Sequence, residues 1–347
     1  MFDRAMQALY SLALDPISES TADKNSYGFR KCRSTNDAAD HIFKCLAKKD
    51  SAQWILEGDI KGCFDNINHK WIIDNIPLNK KILKQFLKAG FIYKKDVFPT
   101  KEGTPQGGII SPILANMTLD GIEKMIKLKY WTSPSGNSIN RKYNSKNRIN
   151  FIRYADDFVV TSRSKEILED IKSMIKEFRE TRGLEQSETK TLITHIDIGY
   201  DFLGFNFRKY KGKLLIQPSK KSIKNIVKKI KSVVKKHTTS NQDELIKSLN
   251  PIIRGWCNYH NSICSKLTYQ KLDRHIFFYL WRWAKRRHQD KSKQWIKDKY
   301  WKTISTRDWI FSDGENKLMF ATETKIIRHC LIKGNANPYL REYDDYY

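Results

Sequence analysis

The sequence predicts an α+β fold in which a few short, buried strands are set among amphipathic helices and followed by a long helical stretch. Three observations carry that prediction. Trp54-Ile55-Leu56, Phe151-Ile152-Arg153-Tyr154 and Phe158-Val159-Val160 are compact runs of strand length, each adjoining acids: Asp59 after the first, Asp156-Asp157 between the other two. Residues 165–182 repeat their apolar positions with helical spacing. Finally, residues 205–303 hold 26 Lys+Arg against 5 Asp+Glu, a net of +21 out of +26 for all 347 residues, and read as helix after helix.

Taken in order, MFDRAMQALYSLAL reads as a helix with Met6, Leu9, Tyr10 and Ala13 on one face, ending near Asp15-Pro16. Asp3 and the missing charged-then-apolar order do not suit a signal peptide. A polar loop, SESTADKNSYGFRKCRSTND, leads to a second helix from about Asn36, its N-cap, through Ala47. Residues 54–67 hold the first strand and Asp59, 68–90 are helical, and 91–100 suit a hairpin. Gly103-Thr104-Pro105-Gln106-Gly107-Gly108 is a glycine loop before a helix capped by Ser111, with Pro112 in its first position, running to about Lys127. Such a loop lets a phosphate or base approach the backbone; a plain tight turn is the other reading. Residues 131–149 are a polar insertion, and 190–196 and 201–208 read as strands. Ser219 caps a helix with Ile223, Ile226, Val227, Ile230, Val233 and Val234 on one face and lysines elsewhere.

The chemistry lies with the acids. Adjacent carboxylates in a tight strand–strand turn repel each other, raise a pKa, or bind a cation. On that stretch alone a solvated hairpin tip serves equally well, because Asp is a common turn residue. Asp59 at the end of another strand changes the balance. Three carboxylates meeting at one sheet edge make an all-oxygen site suited to Mg²⁺, and two such ions roughly 3.5–4 Å apart serve in-line phosphoryl transfer. The excess positive charge points to a polyanion partner, although a one-signed helix face is also what solvent exposure produces. Trp256, Tyr259, Tyr269, Trp281 and Trp283 interleave with Arg254, Arg274, Arg282, Lys285, Arg286 and Arg287; most of these aromatics suit the core, and the basic surface they support fits phosphate-backbone contact. The six cysteines form no CxxC, so neither a disulfide frame nor structural zinc is expected, and no apolar run is long enough for a membrane span.

The ordered motifs EGDIKGCFDNINH, GTPQGGIISPILAN, RYADDFVV, GLEQSETKT and FLGFNFRK resemble those of the reverse transcriptases encoded by group II introns. SYGFRKCRSTNDA upstream, and LNPIIRGWCNYH, FYLWRWAKRRH and IRHCLIKGNANPY downstream, resemble the same family's fingers block and maturase region. The resemblance implies a right-hand polymerase: partial fingers over 1–53, a palm over 54–215, a basic helical thumb or maturase domain over 216–303, and a DNA-binding-like extension over 304–347. Asp59 and Asp156 would be the chief ligands of two Mg²⁺ ions, with the Ile60 carbonyl as a further ligand and Asp157 nearer the primer 3′ end. Phe64 would be the steric gate selecting dNTPs, a core aromatic being the other reading. Gln106, shaped by Pro105 and Gly107, would lie beside the incoming nucleotide. Lys190 would protonate the leaving pyrophosphate; a surface lysine reads the same way. Tyr154 and Phe202-Leu203-Gly204 would position the primer, and Arg30 and Arg33 would touch template or phosphates. Lys220, Lys221, Lys224, Lys228, Arg254, Arg282, Lys285, Arg286 and Arg287 would bind RNA.

Two departures from the family pattern are expected to matter. MFDRAMQALY matches a segment normally well inside the fingers, so the basic blocks before it would come from a second polypeptide or a dimer mate, or be lost. The HNH nuclease that often follows NPY is not found before Tyr347. Two functions follow: an RNA-directed DNA polymerase that also binds intron RNA for splicing and retrohoming at a DNA target, or a splicing maturase with little polymerase activity of its own. Either would work in a bacterial cytoplasm or an organellar matrix, away from membranes and unsecreted.

Overall fold

The computed structural model describes residues 2–60, 63–93, 96–98, 102–104, 107–132, 146–184 and 191–346. The chain divides into two units: Met1–Leu203 with Arg208–Leu214 and Cys330–Tyr347, and Gly204–Phe207 with Leu215–His329.

The described strands up to residue 200 are β1 (Trp54–Asp59), β2 (Phe91–Tyr93), β3 (Asp96–Phe98), β4 (Asn150–Tyr154), β5 (Asp157–Ser162) and β6 (Leu192–His195). β2 and β3 form the expected hairpin, and the other four form one antiparallel sheet in the order β4-β5-β1-β6. Side chains alternate across the sheet. Leu56 of β1, Phe158 and Val160 of β5 and Phe151 of β4 enter one core, which Leu168, Ile171 and Ile175 of helix Lys165–Glu180 help to fill. Burying each of those large side chains contributes roughly 1.5–3 kcal/mol. Gly58 lies beneath the Phe158 ring: a Cβ there would stand 2.3 Å from Cζ. Strand β1 therefore needs a residue without a side chain one position before Asp59, and the acidic motif and the aromatic after the Asp pair fit as a unit.

Several boundaries differ from expectation, each for a local reason. The first helix runs through Pro16 to Thr21. Its buried residues are Gln7, Leu14, Ser18 and Glu19, whereas Leu9 is 61% exposed. Polar partners choose that face: Gln7 Oε1 accepts from the Ile109 N–H at 2.9 Å, and Glu19 holds Arg30. The second helix spans Thr35–Leu46 and is capped by Ser34, not Asn36, because Ser34 and Asp37 form a capping box. Ser111 is no N-cap. Ile110 occupies that place without a side-chain bond, and the helix stops at Leu119. After Gly121, at φ +104°, a separate helix Ile122–Tyr130 begins, its free N–H groups at Gly121 and Glu123 bound by the Asp23 carboxylate. The 201–208 strand is broken into Tyr200–Phe202 and Phe205–Tyr210. Leu203 and Gly204 between them take φ +49° and +76°, the two left-handed positions of a hairpin turn.

The second unit is helical as expected. Helices Lys220–Lys236, Gln242–Tyr259, Lys266–Arg287 and Lys293–Tyr300 surround a core that includes Ile230, Leu249, Ile253, Leu272, Ile276 and Leu280. Ser219, Asn241 and Ser292 cap three of them. A hairpin of Trp301–Ile304 and Arg307–Phe311 closes one side with Trp301 and Phe311 buried. Among the described residues no helix is long and apolar enough to cross a membrane.

Candidate functional site

The antiparallel register of β1 and β5 sets Asp59 directly opposite Asp157. Opposed residues of such a pair carry Cβ atoms about 4.5–5.5 Å apart on the same face. Asp156 sits in the turn, and its carbonyl accepts the Ile60 N–H at 3.2 Å, extending the ladder one step past Asp59. Three acids separated by almost a hundred residues of sequence thus meet at one end of one sheet. Their donor set is oxygen throughout, which suits Mg²⁺ over softer ions. Among the described residues no three His, Cys, Asp or Glu side chains are grouped so that they could hold a metal ion. What the backbone fixes is the placement of the carboxylates.

That placement rests on groups the sequence reading passed over. Ala155 holds φ +55°, an uncommon conformation for a residue with a Cβ, so the turn must be held from outside. Arg153, fully buried on the core face of β4, donates from Nη1 to the Ala155 carbonyl and to Asn116 Oδ1, both at 3.1 Å, and from Nη2 to Asp120 at 2.5 Å. Asn116 in turn donates to the Gly28 carbonyl at 2.7 Å. Residues 25–28 run along the free edge of β4, with the Tyr27 N–H on the Arg153 carbonyl and the Arg153 N–H on the Asn25 carbonyl. Gly28 presses against the turn so closely that a Cβ would lie 2.2 Å from the Ala155 nitrogen. Burial pushes the Asp120 carboxyl up to about 6 even though the Arg153 cation stands against it. An arginine inside an apolar strand was the available signal, since a buried guanidinium needs partners.

Phe64 is half-buried against the core and meets Phe29 edge-on, ring centroids 6.0 Å apart. The glycine loop lies beneath it. The Gly103 N–H donates to the Ile67 carbonyl, the Thr104 N–H donates to the Phe64 carbonyl, and a Cβ on Gly103 would be 2.4 Å from the Asp65 carbonyl. Gly107, at φ +82°, accepts from Arg4 through its carbonyl and has open space where a Cβ would be. Gln106, Pro105 and Lys190 lie outside the described residues. Tyr154 is half-buried, and burial raises its hydroxyl pKa.

Arg30 and Arg33 are engaged by the protein itself. Arg30 grips Glu19 with two nitrogens and the Asp23 and Ser26 carbonyls with a third. Arg33 gathers the carbonyls of Ile332, Lys333 and Ala336. Both guanidinium groups, expected to meet template or phosphates, are buried and bonded to protein carbonyl and carboxylate oxygens. Arg33 thereby ties the NANPY segment to the turn just before helix Thr35–Leu46.

Residues 1–207 match the reverse transcriptase (RNA-dependent DNA polymerase) family, and residues 223–301 match the group II intron maturase-specific domain. The chain belongs to the reverse transcriptase family. It is 31% identical over 340 residues to the group II intron-encoded protein LtrA of Lactococcus lactis subsp. cremoris, covering 74% of this chain and 56% of that protein. It is 30% identical over 233 residues to protein YkfC of Escherichia coli, covering 58% of this chain and 60% of that one. The chain therefore spans little more than half the length of these relatives. Among solved structures, apo telomerase from Candida tropicalis aligns with a TM-score of 0.45 at 15% identity, over 74% of this chain and 48% of that one. Reverse transcriptases in general work with divalent metal ions, and the oxygen-rich strand end of this family member is consistent with that.

The region matching the maturase-specific domain carries most of the basic residues expected to bind RNA. Lys220, Lys221, Lys224 and Lys228 are exposed on their helix opposite Ile226, Ile230 and Val234, and Arg254, Arg282, Lys285 and Arg286 are exposed on theirs. Arg287 differs. It lies over the Trp283 ring, 4.6 Å from the centroid, and donates to the carbonyls of Thr238 and Ser240, so it fastens the end of its helix to the loop after helix Lys220–Lys236.

Proposed function

We propose that this reverse transcriptase is the RNA-directed DNA polymerase of a group II intron, extending a primer 3′-OH with dNTPs on an RNA template, and that it also binds intron RNA to assist splicing and retrohoming. The observation that carries the proposal is Asp59 opposite Asp157 with Asp156 in the adjoining turn. A protein that only held RNA would gain nothing from three carboxylates beside a polyanion.

Asp59 and Asp156, with the Ile60 carbonyl, would hold two Mg²⁺ ions, and Asp157 would face the primer terminus. Bound there, the ions would lower the barrier to attack on the α-phosphate and offset the charge that builds on the leaving pyrophosphate. The chain's other residues position the reactants. Phe64 lies under the sugar and excludes a 2′-OH, Gln106 on its Pro105–Gly107 loop lies beside the nucleotide, and Lys190 gives a proton to the leaving group. Tyr154 and Phe202-Leu203-Gly204 align the primer, while the exposed lysines and arginines from Lys220 to Arg286 hold RNA by its phosphates. Match of residues 223–301 to the maturase-specific domain supports the splicing role.

Primer extension on an RNA template tests this directly. Extension should require Mg²⁺ and disappear in Asp156→Ala, while RNA binding persists. Equal extension by wild type and Asp156→Ala would overturn the polymerase assignment. Splicing support at low Mg²⁺ that survives Asp156→Ala, with no cDNA from either form, would leave the maturase role alone.

A further inference from the structure

Helices Lys220–Lys236 and Lys266–Arg287 of the second unit pack with a cleft of about 110 Å³ between them. Each helix lines it with residues one turn apart: Lys231 and Lys235 from the first, Tyr279, Arg282, Trp283 and Arg286 from the second. The floor is apolar and closed, with Trp283 at 4% and Val234 at 7% exposure. The Trp283 indole N–H donates to the His237 carbonyl at 2.6 Å and the Arg287 guanidinium lies over the ring, which together hold the indole in place.

Above that floor stand four cations. None of them forms an ion pair among the described residues, although Lys247, Lys297 and Arg307 of the same unit do. Four like charges around so small an opening repel one another and oppose folding, so their gathering points to an anion that joins them. A recess of that size between two helices suits a single flat base or phosphate entering it, whereas a paired helix keeps its bases stacked inside and could only lie across the mouth.

We propose that this cleft is a socket for a single unpaired RNA nucleotide, its base stacked on Tyr279 and its phosphates held by Arg282 and Arg286, with Lys231 and Lys235 on the opposite wall. Unpaired bases are recognised by stacking on aromatic rings, which paired RNA cannot offer. The planar guanidinium takes phosphate oxygens two at a time. An acidic peptide would satisfy the cations but has no flat group for Tyr279, so RNA is the better match. The inference rests on the reading of this unit as RNA-binding and narrows it to one strand conformation, adding Tyr279, Lys231 and Lys235 to the arginines of the basic surface.

The full chain is titrated with oligouridine and with a fully paired RNA duplex of the same length. Tyr279→Leu should weaken oligouridine binding about 5- to 150-fold and leave the duplex unchanged, and Tyr279→Phe should restore the wild-type value. The surface pair Arg282→Gln with Arg286→Gln should flatten the salt dependence for oligouridine by about 1.4 in the log–log slope, since each single-strand phosphate contact contributes about 0.7. The socket is overturned if Tyr279→Leu leaves oligouridine affinity intact, if it weakens the duplex equally, or if poly-glutamate displaces oligouridine as readily as oligouridine itself. Should Tyr279→Leu fail to fold, an unchanged salt slope in the arginine pair overturns the socket on its own. Wild type that binds neither RNA refutes the RNA-binding reading itself, a result distinct from variants that bind as wild type does.

Discussion

Arg153 Nη1 donates to the carbonyl oxygen of Ala155, two residues on, at 3.1 Å. The bond loops a buried cation around the turn that presents Asp156 and Asp157, and the same guanidinium reaches Asn116 and Asp120. A residue on the core face of the sheet thus fixes the geometry of residues on the working face. Arg153→Lys keeps the charge beside Asp120 but has one nitrogen where the guanidinium reaches its three acceptors from two. Primer extension by Arg153→Lys should drop about 10- to 100-fold, as small misplacements of reacting groups do. The loss should fall on kcat, with the KM for dNTP little changed, because Arg153 acts through the turn and not on the nucleotide. A KM effect alone would mean that the turn is held by something else.

Gly28 offers a steric test of the same support. A methyl group there would meet the Ala155 nitrogen at 2.2 Å, and backbone cannot step aside as a side-chain tip can. Gly28→Ala should destabilise the protein by about 1–3 kcal/mol, the usual cost of overpacking, and should reduce extension even where thermal unfolding shows the fold intact. Full activity at unchanged stability would mean that residues 25–28 are not pressed on the turn.

Phe64 lies half-buried, with the Gly103-Thr104 backbone bonded beneath it. If its ring selects dNTPs by crowding a 2′-OH, Phe64→Val should raise the use of rNTPs relative to dNTPs by roughly tenfold or more, the scale on which pocket size discriminates. Equal loss with both nucleotide classes would mark Phe64 as core packing only.

The acidic strand ends were legible in the sequence because short apolar runs break into acids at strand length, and Asp59 and Asp157 do face each other. The amphipathic helix at Lys165–Glu180 and the Ser219 cap were legible for the same local reasons, periodicity and capping chemistry. What could not be read was set at long range. The buried face of the first helix follows Ile109 and Arg30, which the helix's own pattern does not contain. The break at Gly121 is stabilised by Asp23, nearly a hundred residues earlier. Arg30 and Arg33 look like phosphate ligands in a polar loop, and only the folded chain supplies Glu19 and the Lys333 carbonyl to take them. Leu203 at φ +49° carries no turn signal of its own; Gly204 beside it does.

The second unit should lose stability as the solution is acidified, and His260 gives the reason. Its ring is fully buried among Phe205, Trp256 and Tyr259. Ser222 Oγ lies 3.1 Å from Nε2 and also accepts the Trp256 indole N–H, while Nδ1 is buried with no partner to share the second proton of a charged ring. Burial holds the imidazole at about 4, below its ordinary 6.5. Between those values the unfolded chain takes up a proton that the folded chain refuses, so stability is complete above about 6.5 and declines as the pH falls toward about 4. One such group changes stability by up to about 1.4 kcal/mol per pH unit. Replacing it with a residue that cannot titrate, as in His260→Gln, should lower the melting temperature at neutral pH through lost packing. It should also make the fall between about pH 7 and about pH 5 shallower than in wild type. His41, also held at about 4 by burial in the other unit, leaves a residual slope in both proteins. Parallel melting curves for wild type and His260→Gln across that range would mean that His260 titrates alike in the folded and unfolded chain, and the neutral buried ring would have to be given up.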